Sequence, residues 1–148
     1  MTALRKRYAT AGLLVLRVIV GVIMAAHGLQ KLQRGPAEFG RTALDALGVP
    51  APEFIGYVVT FAELGGGILL ILGLLTRLAA LVLTVDLIVA IVLVKVRVGL
   101  IAAEGAGAGA ELDLALIAGF VALLLMGAGA LSVDRLIGLE RRASAGVR

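Results

Sequence analysis

The sequence predicts an all-α integral membrane protein, a bundle of four transmembrane helices. The chain is 61% hydrophobic and 16% charged, and its mean hydropathy is +1.09, whereas a soluble domain is about half apolar and a quarter charged. The apolar residues fall into four blocks, each close to the roughly 20 residues needed to cross about 30 Å of hydrocarbon. These blocks are continuous, which favours helices over alternating barrel strands.

The four blocks define one membrane domain covering residues 1–148. We predict spans over residues 11–29, 54–75, 78–97 and 112–131, with tails at residues 1–10 and 135–148. Arg5, Lys6 and Arg7 precede the first block, as in a signal peptide. However, Arg17 interrupts the block and no small-x-small cleavage site follows, so the block is interpreted as a spanning helix.

The connections between the blocks differ in character. In residues 33–53, apolar residues recur at helical spacing: Phe39, Ala43, Leu44 and Leu47. Pro36 suits a helix start and Gly48 a helix end, so a short amphipathic helix on the membrane surface is expected here. Residues 76–77 predict a tight antiparallel hairpin, and the Gly/Ala-rich residues 97–113 predict a loop.

The distribution of basic residues predicts the orientation through the positive-inside rule. The tails and the short hairpin connection carry eight: Arg5, Lys6, Arg7, Arg77, Arg135, Arg141, Arg142 and Arg148. The opposite side carries five: Lys31, Arg34, Arg41, Lys95 and Arg97. We therefore expect a multi-pass plasma-membrane protein with both termini in the cytoplasm.

Charged residues inside the blocks are candidate functional groups, because a charge at bilayer depth is costly and normally has a partner. At a rise of about 1.5 Å per residue, Arg17 lies roughly 9 Å and Asp86 roughly 12 Å from the cytoplasmic block ends. These similar depths predict an ion pair. Glu63 and His27 lie roughly 18 and 24 Å up, within possible reach of each other.

These residues form a predicted polar column. Arg17 and Asp86 lie at its lower end, and its outer mouth is formed by four residues: Lys31, Lys95, Glu111 and Asp113. Helical phase places Arg17, Gly21, Met24, Gly28 and Lys31 on one stripe. A second stripe comprises Glu63, Gly66, Gly67 and Leu70, and its glycines would let a neighbouring helix approach closely.

Each feature also has a purely structural interpretation. Arg17 and Asp86 would form a staple, and Lys31, Lys95 and Arg97 would extend from the membrane boundary to water. Glu111 and Asp113 would cap the fourth helix, where acids suit the helix dipole. For His27 and Glu63, a proton or ligand site and a register-fixing contact remain equally open.

The composition excludes several chemistries. The chain has no cysteine, so disulfide relays and thiolate metal sites are excluded, and its single histidine excludes bis-His haem ligation within one chain. No flavin motif and no metal site is evident. The net charge of +4 comes mainly from the tails and indicates attraction to the membrane surface, not to nucleic acid.

Four motifs in order resemble the DoxX family of small four-helix membrane proteins. They are "LRVIVGVIMAAHGLQKL", "ELGGGILLILGLLTRLAAL", "GAELDLALI" and "GALSVD". The resemblance covers Leu14 to about Asp134. It places the family's polar positions on Arg17, His27, Lys31, Glu63 and Glu111, and Asp86 departs from the pattern.

The resemblance implies a plasma-membrane bundle associated with quinone-linked oxidoreductases and with protection against oxidative stress. The leading hypothesis is an accessory subunit without a redox centre, rather than an enzyme alone. It would anchor or serve an oxidoreductase assembly and bind a quinone-like or sulfur-containing molecule in the polar column. Protein partners or a homo-oligomer are expected. The alternatives are a small proton or solute transporter or channel, and a purely structural assembly factor.

Overall fold

The computed structural model describes residues 3–103 and 109–139, whose regular secondary structure is helical, with no strand among them. The order is α1 (Ala3–Arg34), α2 (Pro36–Phe39), α3 (Pro52–Leu72), α4 (Thr76–Ala90), α5 (Val96–Val98), α6 (Ala110–Met126) and α7 (Val133–Leu136). A π-helical turn, Gly40–Leu44, and a 3-10 turn, Asp45–Leu47, extend α2, and a second π-helical turn, Ile91–Lys95, joins α4 to α5.

Three stretches of the described chain are long and apolar enough to cross a membrane: Tyr8–Arg34, Pro52–Leu72 and Thr76–Val98. Their outward faces carry large apolar side chains, such as Ile19, Phe61 and Val85, that would contact lipid. The helix in the region of the predicted fourth span, α6, is not among these three, since it has only 17 residues, about 26 Å. It ends where Gly127 and Gly129 adopt positive φ angles of 81° and 80°.

The closest helix crossing joins α1 to α3 through glycines. Gly21, Gly28 and Gly67 are buried, as the two predicted stripes require. A methyl group added to Gly28 would collide with the main chain at Leu64, and one added to Gly67 would collide with the main chain at Ala25. Backbone contact of this kind excludes any larger residue and fixes the depth of α1 relative to α3.

The helix predicted between the first two spans is present. It begins at Pro36 and ends at Gly48, whose φ of 72° provides a left-handed stop. Close approaches of Gly40 to Pro52 and of Gly56 to Pro36 pack this segment on the first turns of α3. Its position at the membrane surface stays a prediction.

The hairpin between α3 and α4 is as tight as expected and turns at residues 73–75, one to three residues before the predicted position. Gly73 and Leu75 both have positive φ, 69° and 48°. The carboxylate of Asp134 accepts hydrogen bonds from the main-chain N–H groups of Leu75 (2.7 Å) and Thr76 (2.9 Å), and the Asp134 N–H donates to the Gly73 carbonyl (2.9 Å). The chain after α6 therefore caps α4.

The apolar core lies between the hairpin and the middle of the bundle. It is formed by α1, α3, α4 and α6, and its fully buried members include Leu70, Leu83, Phe120 and Leu123. Charged side chains lie on both sides of this core along the bundle axis.

The predicted tail residues 1–2 and 140–148, and loop residues 104–108, lie outside the described residues. The predicted orientation therefore stays a prediction.

Candidate functional site

An ion pair of Lys31 and Glu63 forms the centre of the candidate site. Lys31 Nζ lies 2.5 Å from Glu63 Oε2, and the two side chains are 18% and 8% exposed. Glu63 shares a buried stripe with Gly67, which contacts α1, and Lys31 lies one turn beyond Gly28 on the α1 stripe. A helical side chain leans toward the N-terminus of its helix, which brings Lys31 down to the carboxylate.

The structural interpretation of Lys31 as a boundary residue that reaches to water is therefore wrong. Its ammonium group also lies 5.3 Å from the centre of the Phe39 ring, at the end of α2. A cation above an aromatic face is attracted to the ring. Lys31 thus ties α1 to α3 and to the segment that starts at Pro36.

Asp86 joins this pair, and the predicted ion pair of Arg17 with Asp86 is wrong. The Asp86 carboxyl group lines the same cavity wall as Lys31 and Glu63, and it interacts electrostatically with both. The reason is the position of the turn. Counted from the helix ends at Leu72 and Thr76, Glu63 and Asp86 lie nine and ten residues up, about 14 and 15 Å, so their depths match.

Arg17 contacts main-chain carbonyls at the opposite end of the bundle. Its guanidinium donates to Ala128 O (2.8 Å) and Leu131 O (2.7 Å), and its side chain is 2% exposed and packs against Gly73. These carbonyls are available because the chain leaves helical geometry at Gly127. Arg17 is therefore separated from the predicted polar column.

A cavity of about 410 Å³ adjoins the ion pair, and we term it the apolar cavity. Ten of its fourteen lining residues are apolar, and they come from residues 39–49, α3, α4 and the π-helical turn that follows α4. The four charged lining residues are Lys31, Glu63, Asp86 and Lys95. The space thus combines apolar walls with a cluster of two cations and two acids.

A second cavity of about 220 Å³ lies on the other side of the same pair, and we term it the charged cavity. It shares Lys31, Glu63, Ala90 and Lys95 with the apolar cavity. Its other lining residues include His27 and Asp113. The ion pair of Lys31 and Glu63 therefore forms part of both cavity walls.

His27 lines the charged cavity with Glu63, but the bonded partner of Glu63 is Lys31. The His27 side chain is exposed and faces the first turn of α6, where it acts electrostatically on Asp113.

Glu111 lies in the first turn of α6, as the capping interpretation predicts, and accepts a hydrogen bond from the Gly109 N–H (3.3 Å). Asp113 does not simply cap the helix, since it is 9% exposed and lines the cavity.

Sequence reasoning misses the role of Asp134, which enters only as part of the resemblance, yet its carboxylate fixes the hairpin at the other end of the bundle. Lys95, predicted at the outer mouth of the polar column or alternatively as a boundary residue, lines both cavities. A signal for Asp134 existed, because a buried acid after a glycine-rich helix end needs main-chain donors.

No group of three or more His, Cys, Asp or Glu side chains across residues 3–103 and 109–139 has the geometry to hold a metal ion. The acidic groups of the site face lysines instead. The arrangement therefore offers charge, hydrogen-bond donors and exchangeable protons beside an apolar space.

Comparison with known proteins gives one family and two relatives. The family model described as DoxX matches residues 12–96, more than half of the chain. An uncharacterized membrane protein of Mycobacterium tuberculosis is 36% identical over 137 residues, covering 88% of this chain and 82% of that protein. The protein named "Putative oxidoreductase CatD" in Bacillus subtilis is 35% identical over 125 residues, covering 83% of this chain and 84% of that protein. No solved structure matches the chain. This membrane protein therefore belongs to the DoxX family.

Proposed function

We propose that this protein is an accessory membrane subunit that binds a quinone-like molecule in the apolar cavity and serves an oxidoreductase assembly. The observation that carries the proposal is the placement of Lys31, Glu63, Asp86 and Lys95 at the wall of an otherwise apolar space. Its volume of about 410 Å³ is typical of small-molecule sites, which range over roughly 300–1,000 Å³.

The chemistry of the cavity wall suits a quinone head group. A quinone carbonyl oxygen accepts a hydrogen bond, and the ammonium groups of Lys31 and Lys95 are donors. The carboxyl groups of Glu63 and Asp86 can hold the protons that quinone chemistry exchanges. The apolar residues, among them Phe39, would contact the ring and the start of an isoprenoid tail.

Electrons for such a ligand would come from a partner. The chain has no cysteine and one histidine, so its own residues offer few ligands for a redox metal. The name of the Bacillus relative supports a link to oxidoreductases. We therefore place the redox centre on a separate subunit, and an association with protection against oxidative stress fits that assignment.

The same proposal includes four spans and a plasma-membrane location with cytoplasmic termini. At about 26 Å, α6 is close to the hydrocarbon thickness of about 30 Å, and 14 of its 17 residues are apolar. It packs against α4 and α1 around the buried core. Acid residues at one end of α6 and Arg135 beyond the other are compatible with boundaries at both membrane surfaces.

The test is equilibrium binding of decylubiquinone to the purified protein in nanodiscs, measured by calorimetry. Leu93→Trp fills the apolar cavity, whereas Leu125→Trp makes the same change at a side chain that is 71% exposed to lipid. We expect Leu93→Trp to weaken binding at least about tenfold and Leu125→Trp to leave it unchanged. Equal binding by all three proteins, or no binding to the wild type, would contradict the proposal.

The accessory role is tested separately by purification from native membranes in mild detergent. We expect a stoichiometric partner with the absorption spectrum of a flavin, haem or iron–sulfur protein, together with extractable quinone. A chain recovered alone, with lipid but no quinone, would favour a purely structural role.

A further inference from the structure

We infer that the charged cavity is a hydrated, one-sided path by which protons reach the carboxyl pair of Glu63 and Asp86. This path is a property of the protein without any bound quinone. It begins at the end of the bundle that carries His27 and Asp113, and it ends at the wall of the apolar cavity.

The first observation is the state of Asp113. Its side chain is nine-tenths buried, and its Oδ2 atom accepts no hydrogen bond from any residue in the described ranges. A buried carboxylate oxygen needs donors, and the space before it is the charged cavity. At about 30 Å³ per water molecule, 220 Å³ holds about seven waters. Water is therefore the partner that fits Asp113.

The second observation is the order of the acidic groups. Asp113 lines the charged cavity, Glu63 lines both cavities, and Asp86 lines the apolar cavity beside Glu63. Protons move along such a series through intervening water. At each step one O–H bond breaks on the donor, a hydronium ion or carboxylic acid, and one forms on the acceptor oxygen. Asp113, Glu63 and the intervening water molecules thus connect the bulk solvent to Asp86.

The third observation is the balance of charge in the cluster. The titratable groups that face it come from α1, α3, the α4 to α5 region and α6: His27, Lys31, Glu63, Asp86, Lys95, Glu111 and Asp113. Among the described residues, and leaving out Glu111, which caps α6, three carboxyl groups face two lysines. A proton held by one of these carboxyl groups reduces the negative charge of the cluster. Glu63 and Asp86 line the same cavity wall, so a proton that reaches one of these carboxyl groups can pass to the other.

The path is closed at its lower end by the apolar core. Leu70, Leu83, Phe120 and Leu123 are fully buried between the cavities and the hairpin, where Arg17 lies. A dry apolar layer holds no proton carriers. The protein therefore admits protons from one side without conducting them across the membrane, which separates this inference from the transporter hypothesis.

The natural absence of cysteine makes hydration directly measurable with single-cysteine variants. Leu116→Cys places a thiol in the charged cavity, and Leu125→Cys places one against lipid on the same helix. Leu70→Cys places one in the closed core. In nanodiscs, we expect a charged methanethiosulfonate reagent to modify Leu116→Cys at least about tenfold faster than the other two. Equal rates for all three would overturn the hydrated cavity.

Proton delivery is measured by infrared spectroscopy on ligand-free protein. We expect a protonated-carboxyl band that disappears in Asp86→Asn or Glu63→Gln, and that shifts on transfer to D₂O. In Asp113→Asn, the asparagine has nearly the shape of the aspartate but cannot relay a proton as a carboxyl group. We expect this variant to slow the hydrogen–deuterium exchange of the band at least about tenfold. Glu53→Gln, at an exposed acid, is the control. If the folded Asp113→Asn protein exchanges at the wild-type rate, the proton path is overturned. That result does not bear on quinone binding, which the calorimetric experiment tests.

Discussion

Three consecutive glycines in α3 allow the helix crossing to be tested by single alanine substitutions. A Cβ at Gly65 meets nothing within 4 Å, and one at Gly66 meets Leu83 side-chain atoms at 3.0–3.1 Å. One at Gly67 meets the α1 main chain, including Gly21 O at 2.6 Å and Ala25 Cα at 2.9 Å. An added methyl group would therefore enter open space at Gly65, contact a movable side chain at Gly66 and collide with rigid backbone at Gly67.

The magnitudes follow from these contacts. Ordinary contacts of a Cβ begin at 3.4 Å, so Gly67→Ala must move α1 by almost 1 Å from α3. Overpacking of this kind costs about 1–3 kcal/mol, and backbone neighbours place Gly67→Ala at the upper end, near 3 kcal/mol. Gly66→Ala should cost about 1 kcal/mol, because Leu83 can shift. Gly65→Ala should be neutral or up to about 1 kcal/mol stabilising, through helix propensity.

The assay is titration of the detergent-solubilised protein with sodium dodecyl sulfate, with the folded fraction measured by pulse proteolysis. The expected order of stability is Gly65→Ala, then Gly66→Ala, then Gly67→Ala. If Gly67→Ala is as stable as the wild type, or if Gly65→Ala is the least stable, the close crossing of α1 and α3 is refuted.

Three further predictions use the same stability assay. Asp134→Ala should cost about 3 kcal/mol of stability, because two hydrogen bonds to a carboxylate are lost, and Asp134→Asn should cost about half as much. If Asp134→Ala costs no more than the exposed control Asp45→Ala, the cap is contradicted. Lys31→Met alone should cost about 3–5 kcal/mol of stability, because it leaves the buried Glu63 carboxylate without its partner. Lys31→Met combined with Glu63→Leu should cost far less, and a double-variant loss equal to the sum of the two single losses would show that the pair is not coupled. Arg17→Lys should destabilise by about 1–3 kcal/mol, since an ammonium group does not reproduce the fork that reaches two carbonyls. A free energy of unfolding equal to that of the wild type would contradict that geometry.

Much of the helix packing is predictable from the sequence, because side-chain periodicity reports which face of each helix is buried. The stripes through Gly21 and Gly28, and through Glu63 and Gly67, are buried as predicted. Three of the four predicted spans are long and apolar enough to cross the membrane. The helix between Pro36 and Gly48 was signalled by its proline and glycine.

The partners of the charged residues were less predictable. Counting depth along apolar blocks misplaced Asp86, because the hairpin turns at residues 73–75 and shifts both helix ends. The same count considers only side chains as partners, so it missed the carbonyls of Ala128 and Leu131 that accept from Arg17. Whether the candidate site residues bind a ligand is a question that side-chain spacing does not address.

The contacts of Arg17 have a consequence for biosynthesis. Its two carbonyl acceptors lie 111 and 114 residues later in the chain. The first helix therefore enters the membrane with a charged guanidinium whose acceptors have not yet been translated. A nascent chain that stalls before residue 128 lacks both of these acceptors, so the position of Arg17 in the finished bundle is set only when the last part of the chain is made.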